Sequence, residues 1–225
     1  MKINEFKGDG GLVFPVKPKD IWESNGSKLA CLDIDNGDAF NFFKKYNFSD
    51  VAYVDPPWGQ ALANQFRGKA GYEQNANFNI FLGNMINILR NVRRDVFIEM
   101  GKKWVDNLHE FIHLAEGKII KTYEITYYKI KLATLTHCTF SGSYTDTSDY
   151  TGIDDEDLPF IAIRECTNAN DTVLDCCTGR GLSFVASVKN HRKFIGTELS
   201  QYRASVSLRK IRDITGKNPT KMIGE

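Results

Sequence analysis

Asp171-Thr172-Val173-Leu174-Asp175-Cys176-Cys177-Thr178-Gly179-Arg180-Gly181-Leu182-Ser183 reads as an apolar strand, a glycine-containing turn and the start of a helix. Downstream, Lys193-Phe194-Ile195-Gly196-Thr197-Glu198 is a second strand that ends in an acid. Glycines after a first strand let backbone approach a ligand closely, and an acid at the end of the next strand can hold ribose hydroxyls. A lone Gly-x-Gly carries little information. The acid at this distance gives it meaning, with Asp175, Gly179, Gly181 and Glu198 as the candidate ligand-facing residues.

A second strand end lies far upstream, at Val51-Ala52-Tyr53-Val54-Asp55-Pro56-Pro57-Trp58. Four residues without charge read as a buried parallel strand, and the run stops at a carboxylate, two prolines and a large aromatic. Neither proline has an N–H, so the ladder cannot continue and the carbonyls there are free to point elsewhere. A carboxylate, a backbone carbonyl and an indole at one spot suit a planar amine: two acceptors for its N–H groups and a face to stack on. The plainer reading is a Pro-Pro turn with Trp58 as a lid on the core.

Together the two stretches resemble the S-adenosylmethionine-dependent amino-methyltransferases that modify adenine N6 or cytosine N4. Asp55-Pro56-Pro57-Trp58 looks like their catalytic motif, and the segment from Asp171 to Ile211 resembles their cofactor half. The catalytic motif precedes the cofactor loop, the circularly permuted order of the beta-class DNA methyltransferases. The likeness runs roughly from Leu29 to Ile211. It implies S-adenosylmethionine as cofactor, held by the loop Asp175 to Gly181 and Glu198. It also implies that Asp38, in Gly37-Asp38, sits near the cofactor's adenine; Asp38 reads equally as a helix N-cap. The usual loop of the family is Asp-Pro-Phe-x-Gly-Ser-Gly-Thr. Here Cys177 stands where an aromatic packs near the cofactor, and Leu182 stands in place of a hydroxyl.

At 225 residues the chain is expected to form one domain, large enough to bury a core without staples. It is 42% hydrophobic and 25% charged, which excludes wholesale disorder. The formal net charge of +1 makes no global electrostatic case for nucleic acid, so any such contact needs a local patch. Five cysteines without a C-x-x-C pair argue against zinc, and no signal peptide is evident, which together point to a reducing cytoplasm. No apolar run reaches the length of a membrane span.

Along the chain, residues 1–27 read as an irregular arm packing Phe14 and Trp22 onto the domain. Strands are expected at Leu29–Ile34, Val51–Val54, Asp95–Glu99, Ile119–Tyr128, Lys131–Phe140, Asp171–Asp175 and Lys193–Thr197. Helical faces are marked by Ala39, Phe42 and Phe43; by Phe81, Met85 and Ile88; by Trp104, Leu108 and Ile112; and by Tyr202, Val206 and Ile211. Another helix is expected within Asp154 to Cys166. His109 and His113 could form a metal pair on a helix, but no third ligand is near and solvated surface is the simpler reading. Residues 59–77 and 141–152 read as polar loops that could touch substrate, the first through Gln65, Arg67, Lys69 and Tyr72.

The expected architecture is therefore α/β: a doubly wound, mostly parallel seven-stranded sheet with an antiparallel edge hairpin, the Rossmann-like methyltransferase fold. Asp55 and the Pro56 carbonyl would bind the amine of a flipped base and Trp58 would stack on it. Asp rather than Asn at position 55, next to Trp58, leans by family analogy toward adenine N6 in DNA. RNA, cytosine N4, a protein amide and an inactive nucleic-acid-binding subunit remain as alternatives. Few residues are left for reading a target sequence, so the site is expected to be short or loosely read, or else a second copy or partner subunit supplies the missing surface.

Overall fold

The computed structural model describes residues 14–127 and 131–222. In chain order its elements are β1 (Ile21–Ser24), β2 (Ser27–Ala30), α1 (Asp38–Lys45), β3 (Val51–Val54), α2 (Gln60–Ala70), α3 (Phe78–Leu89), β4 (Val96–Gly101) and α4 (Val105–Leu114). There follow β5 (Lys118–Tyr127), β6 (Lys131–Thr139), α5 (Leu158–Cys166), β7 (Thr172–Asp175), α6 (Leu182–Lys189), β8 (Lys193–Thr197), α7 (Gln201–Thr215) and β9 (Thr220–Met222).

The strands form one sheet in the order β5-β6-β4-β3-β7-β8-β2-β1-β9. From β4 to β2 the pairing is parallel. The β5–β6 hairpin lies antiparallel on the β4 edge, as expected. The count is a correction: nine strands stand where seven were expected. The two extra are β1 and β9, which extend the far edge, β1 antiparallel to β2 and β9 antiparallel to β1. At four and three residues they are too short for alternation to show. The part of the arm from Ile21 is therefore sheet rather than irregular chain, while residues 1–13 lie outside the described residues. The sequence did hold a signal, Asn25-Gly26, whose φ values of 52° and 79° are the positive pair that a two-residue hairpin turn requires.

The central strands are apolar throughout because both faces are covered. Along β3, Val51 and Tyr53 enter one core while Ala52 and Val54 enter the other. Helices α5, α6 and α7 fill the first face with Leu158, Phe184 and Leu208. Helices α1, α3 and α4 fill the second with Phe43, Met85 and Leu108. Each such fully buried side chain contributes about 1.5–3 kcal/mol relative to exposure.

The chain leaves β3 toward β4 through α3 on the second face, and leaves β7 toward β8 through α6 on the first. Strands β3 and β7 are nevertheless neighbours, registered at Val51–Val173 and Ala52–Leu174. Their crossovers depart to opposite sides, which opens a crevice beyond their C-terminal ends. Asp55 and Asp175 flank it. The opposite end of the sheet is closed by ion pairs, Arg93 with Asp50 at 3.3 Å and Arg94 with Asp171 at 2.8 Å, so those arginines face away from the crevice.

Segment 141–152 is irregular, as expected, but it is tied down. Asp95, fully buried ahead of β4, accepts hydrogen bonds from His137 Nε2 at 2.8 Å, from Thr145 N at 2.8 Å and from Thr145 Oγ1 at 2.9 Å. Asp95→Ala strands these donors in the core and should lower the unfolding free energy by about 3 kcal/mol. Urea denaturation checks this; a loss below about 1 kcal/mol would mean that the segment is held by other contacts.

Candidate active site

The ladder of β3 stops where the prolines begin, and Asp55 is left exposed in the crevice. Trp58 Nε1 donates to Asp55 Oδ1 at 3.2 Å. The indole is half-buried, packed on Tyr127 with ring centroids 4.5 Å apart. It also lies so close to Gly101 that a Cβ there would meet the ring at 2.9 Å. Trp58 thus caps the core and borders the carboxylate. Gly59 anchors the turn that follows. Its φ is 99°, and a Cβ would fall 2.3 Å from Trp104, so no other residue fits.

Across the crevice, Asp175 shapes the glycine loop from beneath. Its Oδ1 accepts the Cys177 N–H at 2.8 Å and its Oδ2 accepts the Ser183 hydroxyl. The glycines differ in purpose. Gly181, at φ 81°, is needed because α7 passes so close that a Cβ would lie 2.7 Å from Ser207 Oγ. Gly179, at φ 55°, has only the Cys177 carbonyl within 3.7 Å of a Cβ, so there is room on that side, while its carbonyl accepts the Ser207 hydroxyl at 3.2 Å. Cys177 is half-buried beside it. Glu198, 7% exposed, accepts the Gly179 N–H on one oxygen and the Ser200 N–H on the other, each at 2.7 Å. It therefore joins the loop to the end of β8, with the Leu199 N–H as a further backbone donor.

Beyond the end of β2 is a cavity of about 410 Å³, whose lining includes Cys31, Leu32, Asp33, Asp38, Tyr72 and, from the start of α7, Gln201. Asp38 begins α1 after Gly37 and makes an exposed ion pair with Lys19 at 3.2 Å. The N-cap reading is not met: the residue before the helix is Gly37, and Asp38 lies in the first turn.

The loop expected over 59–77 is a helix, α2, from Gln60 to Ala70. Its sequence hides this, because Ala63 is its one buried residue and Gly68 interrupts it. The remainder folds back, with Asn64 Oδ1 accepting Ala76 N at 2.8 Å and Gln60 Oε1 accepting Phe78 N at 3.0 Å. The four candidate substrate residues divide. Arg67 turns inward and pairs with Asp33 at 2.8 Å and Asp35 at 3.3 Å, its guanidinium 5.5 Å from the Tyr72 ring centre. Tyr72 lines the cavity. Gln65 and Lys69 remain on the exposed face.

Sequence reading assigns no role to Glu99, Tyr53 or Asp155, and places Arg203 on a basic face of the last helix, read as solvated surface with a phosphate-binding stripe as the alternative. Glu99 is 2% exposed on β4 and accepts the Tyr53 hydroxyl at 2.5 Å on Oε1. An acid near the end of an apolar strand was the available signal, the same one that marked Asp55. Arg203, on the first turn of α7, lies 4.4 Å over the Phe66 ring of α2. His109, by contrast, bonds Thr136 Oγ1 at 3.0 Å, and no group of three or more His, Cys, Asp or Glu among the described residues could hold a metal.

The electrostatics follow from burial. Burial raises the Asp175 carboxyl to about 7, against the hydrogen bonds from Ser183 and Cys177, with Asp55 and Glu198 adding to the rise. Burial also raises Glu198, opposed by Arg203 and by backbone N–H groups. Asp55 is raised by the crevice walls and opposed by the Trp58 N–H; Asp155 raises it and Arg203 lowers it. Its exposure to water moderates that shift. A carboxyl raised on folding stabilises the protein below its unfolded pKa, and that contribution is lost as pH rises through the folded value. Asp175 should therefore cost stability progressively between about pH 4 and 7. Asp175→Asn should flatten the decline in that window; melting temperatures showing the same slope in both proteins would contradict it.

No protein-family model and no curated protein matches the sequence. Solved structures do match the fold. M1.HpyAVI, crystallised as its SAM complex, superposes with a TM-score of 0.63 at 12% identity, covering 81% of this chain and 98% of that one. The cytosine-N4-specific PvuII DNA methyltransferase gives 0.64 at 13% identity, covering 89% and 94%. The putative DNA modification methylase TTHA0409 of Thermus thermophilus, complexed with S-adenosyl-L-methionine, gives 0.58 at 12% identity, covering 81% and 94%. At these identities the likeness is one of fold.

Proposed function

We propose that the protein transfers a methyl group from S-adenosylmethionine to the exocyclic amine of a nucleobase in DNA, with adenine N6 the favoured acceptor. The observation that carries this reading is that Asp55-Pro56-Pro57-Trp58 and the glycine loop, far apart in the chain, end adjacent strands at the switch crevice. The fold likeness to DNA methyltransferases supports it.

The residues present fit the cofactor. Gly179 has room where a side chain would stand, the Glu198 carboxylate is the acceptor at the end of β8 for ribose hydroxyls, and Asp38 lines the cavity as an acceptor for an adenine amine. The Lys19 pair at Asp38 is exposed, so it opposes this only weakly. When bound, S-adenosylmethionine supplies an electrophilic methyl group on a sulfonium.

The protein's task is to aim the amine. An aromatic amine is a poor nucleophile because its lone pair is delocalised into the ring. Hydrogen bonds from its two N–H groups to Asp55 and to the Pro56 carbonyl favour a pyramidal nitrogen whose lone pair points at the methyl group. The proton that the nitrogen loses on methylation would pass to the Asp55 carboxylate. Trp58 holds only Oδ1 of Asp55, which leaves Oδ2 for the base. Adenine is favoured on the pairing of Asp55 with Trp58; the likeness to the PvuII enzyme keeps cytosine N4 as the second acceptor.

With Arg67 committed to Asp33 and Asp35, base reading falls to very few side chains, Gln65 and Lys69 among them. A short, loosely read target follows, or a second copy or partner subunit that completes the surface. DNA affinity should then rest on phosphate contacts and fall steeply with salt.

Two variants separate the halves of the site. Glu198→Ala removes two charge-assisted hydrogen bonds to ribose, each worth about 1.5–3 kcal/mol, so S-adenosylmethionine affinity by calorimetry should drop at least about 100-fold. No binding by the wild-type protein, or equal binding by the variant, would overturn the cofactor assignment. Asp55→Ala should cut turnover by about 100-fold or more while cofactor affinity stays within a few-fold. Near wild-type turnover would return Asp55 to a turn residue.

A further inference from the structure

Glu99 contacts neither the cavity nor the crevice mouth, yet it lies under the catalytic strand end. It stands on β4, the strand paired with β3, and Tyr53 two residues before Asp55 donates to its Oε1 at 2.5 Å. Its Oε2 is fully enclosed and has no hydrogen-bond partner. The ionisable groups acting on this corner are Tyr53 and Asp55 from β3, Asp175 from β7, Asp155 ahead of α5, and Arg203 of α7 acting on Asp55, while β6 on the other side of β4 sets the apolar Leu135 opposite Glu99.

Like charges this close cannot all ionise, and the hydrogen bonds sort them. Asp175 has donors on both oxygens. Asp55 is exposed and has the Trp58 N–H. Glu99 alone of these three combines full burial with an unpartnered oxygen, where an ionised carboxylate is penalised most. We propose that Glu99 is a positioning residue of the transfer site: it stays a neutral acid and so keeps the negative charge of the crevice on Asp55. Burial, then Asp55, lift its carboxyl well above the ordinary glutamate range, against the Tyr53 hydrogen bond, with Asp155 and Asp175 adding to the rise. The proposal rests on the methyltransferase reading.

At high pH, ionisation of Glu99 sets a second negative charge beside Asp55 and draws water under the end of β3, so turnover falls. Glu99→Gln keeps an acceptor for Tyr53 and cannot ionise. The test has two arms. Infrared difference spectra at neutral pH should show a protonated-carboxyl band in the wild type that Glu99→Gln lacks; carboxylate bands there instead would overturn the neutral state. In methyl-transfer assays, Glu99→Gln should stay within about threefold of the wild type at neutral pH and lose the alkaline fall. Glu99→Asp, one methylene short of Tyr53, should lower kcat with cofactor Kd unchanged. A Glu99→Gln protein that keeps the alkaline fall, or that is folded and binds cofactor but loses more than about tenfold in kcat, overturns the positioning role alone. A wild type that transfers no methyl group overturns the methyltransferase reading and this role with it.

Discussion

Strands β3 and β7 pair side by side while their crossovers leave to opposite faces of the sheet, and the placement of the site depends on that pairing. Parallel neighbours put both C-terminal ends at one edge. Opposite crossovers keep helices from covering the gap between them. The prolines after Asp55 and the left-handed glycines after Asp175 then end each strand abruptly, so side chains and backbone meet in the crevice instead of continuing a ladder. The flanking strands serve the same end, β8 by bringing Glu198 to the glycine loop and β4 by bringing Glu99 beneath Asp55.

This geometry concentrates acids. A chain of net charge +1 gathers Asp55, Glu99, Asp155, Asp175 and Glu198 around one edge of the sheet. Most of them are raised by burial, so negative charge is penalised at this edge and a cation is welcome. A sulfonium is such a cation. Arg203 partly offsets the acids by lowering both Asp55 and Glu198 from the end of α7. Its stacking on Phe66 also brings α2 to this edge, and Arg67 fastens the same helix to Asp33 and Asp35.

The parts legible in the sequence were those written in one short run. Apolar strands ending in Asp55, Asp175 and Glu198 announced themselves, and so did the β5–β6 hairpin rich in Ile, Tyr and Thr. What escaped depends on contacts between distant segments. β9 is three residues that take their order from β1, whose Asp20 neighbour pairs with Lys221 at 2.6 Å. α2 buries a single residue fully, so it has no apolar stripe to reveal it. Arg67 looked like a ligand-seeking cation because its partners, Asp33 and Asp35, lie more than thirty residues earlier. Glu99 sat in plain view as an acid in an apolar strand, but its meaning required Tyr53 on the next strand.

The central claim is that Asp55 and the glycine loop act on one methyl group and one base amine. Incubating DNA with the protein and S-adenosylmethionine carrying an isotope-labelled methyl group, then analysing nucleosides by mass spectrometry, tests it directly. The account predicts labelled N6-methyladenine with the wild type and none with Asp55→Ala. Labelled cytosine with unmodified adenine would contradict the choice of base, and unlabelled DNA from a wild-type protein that binds the cofactor would contradict the transfer itself.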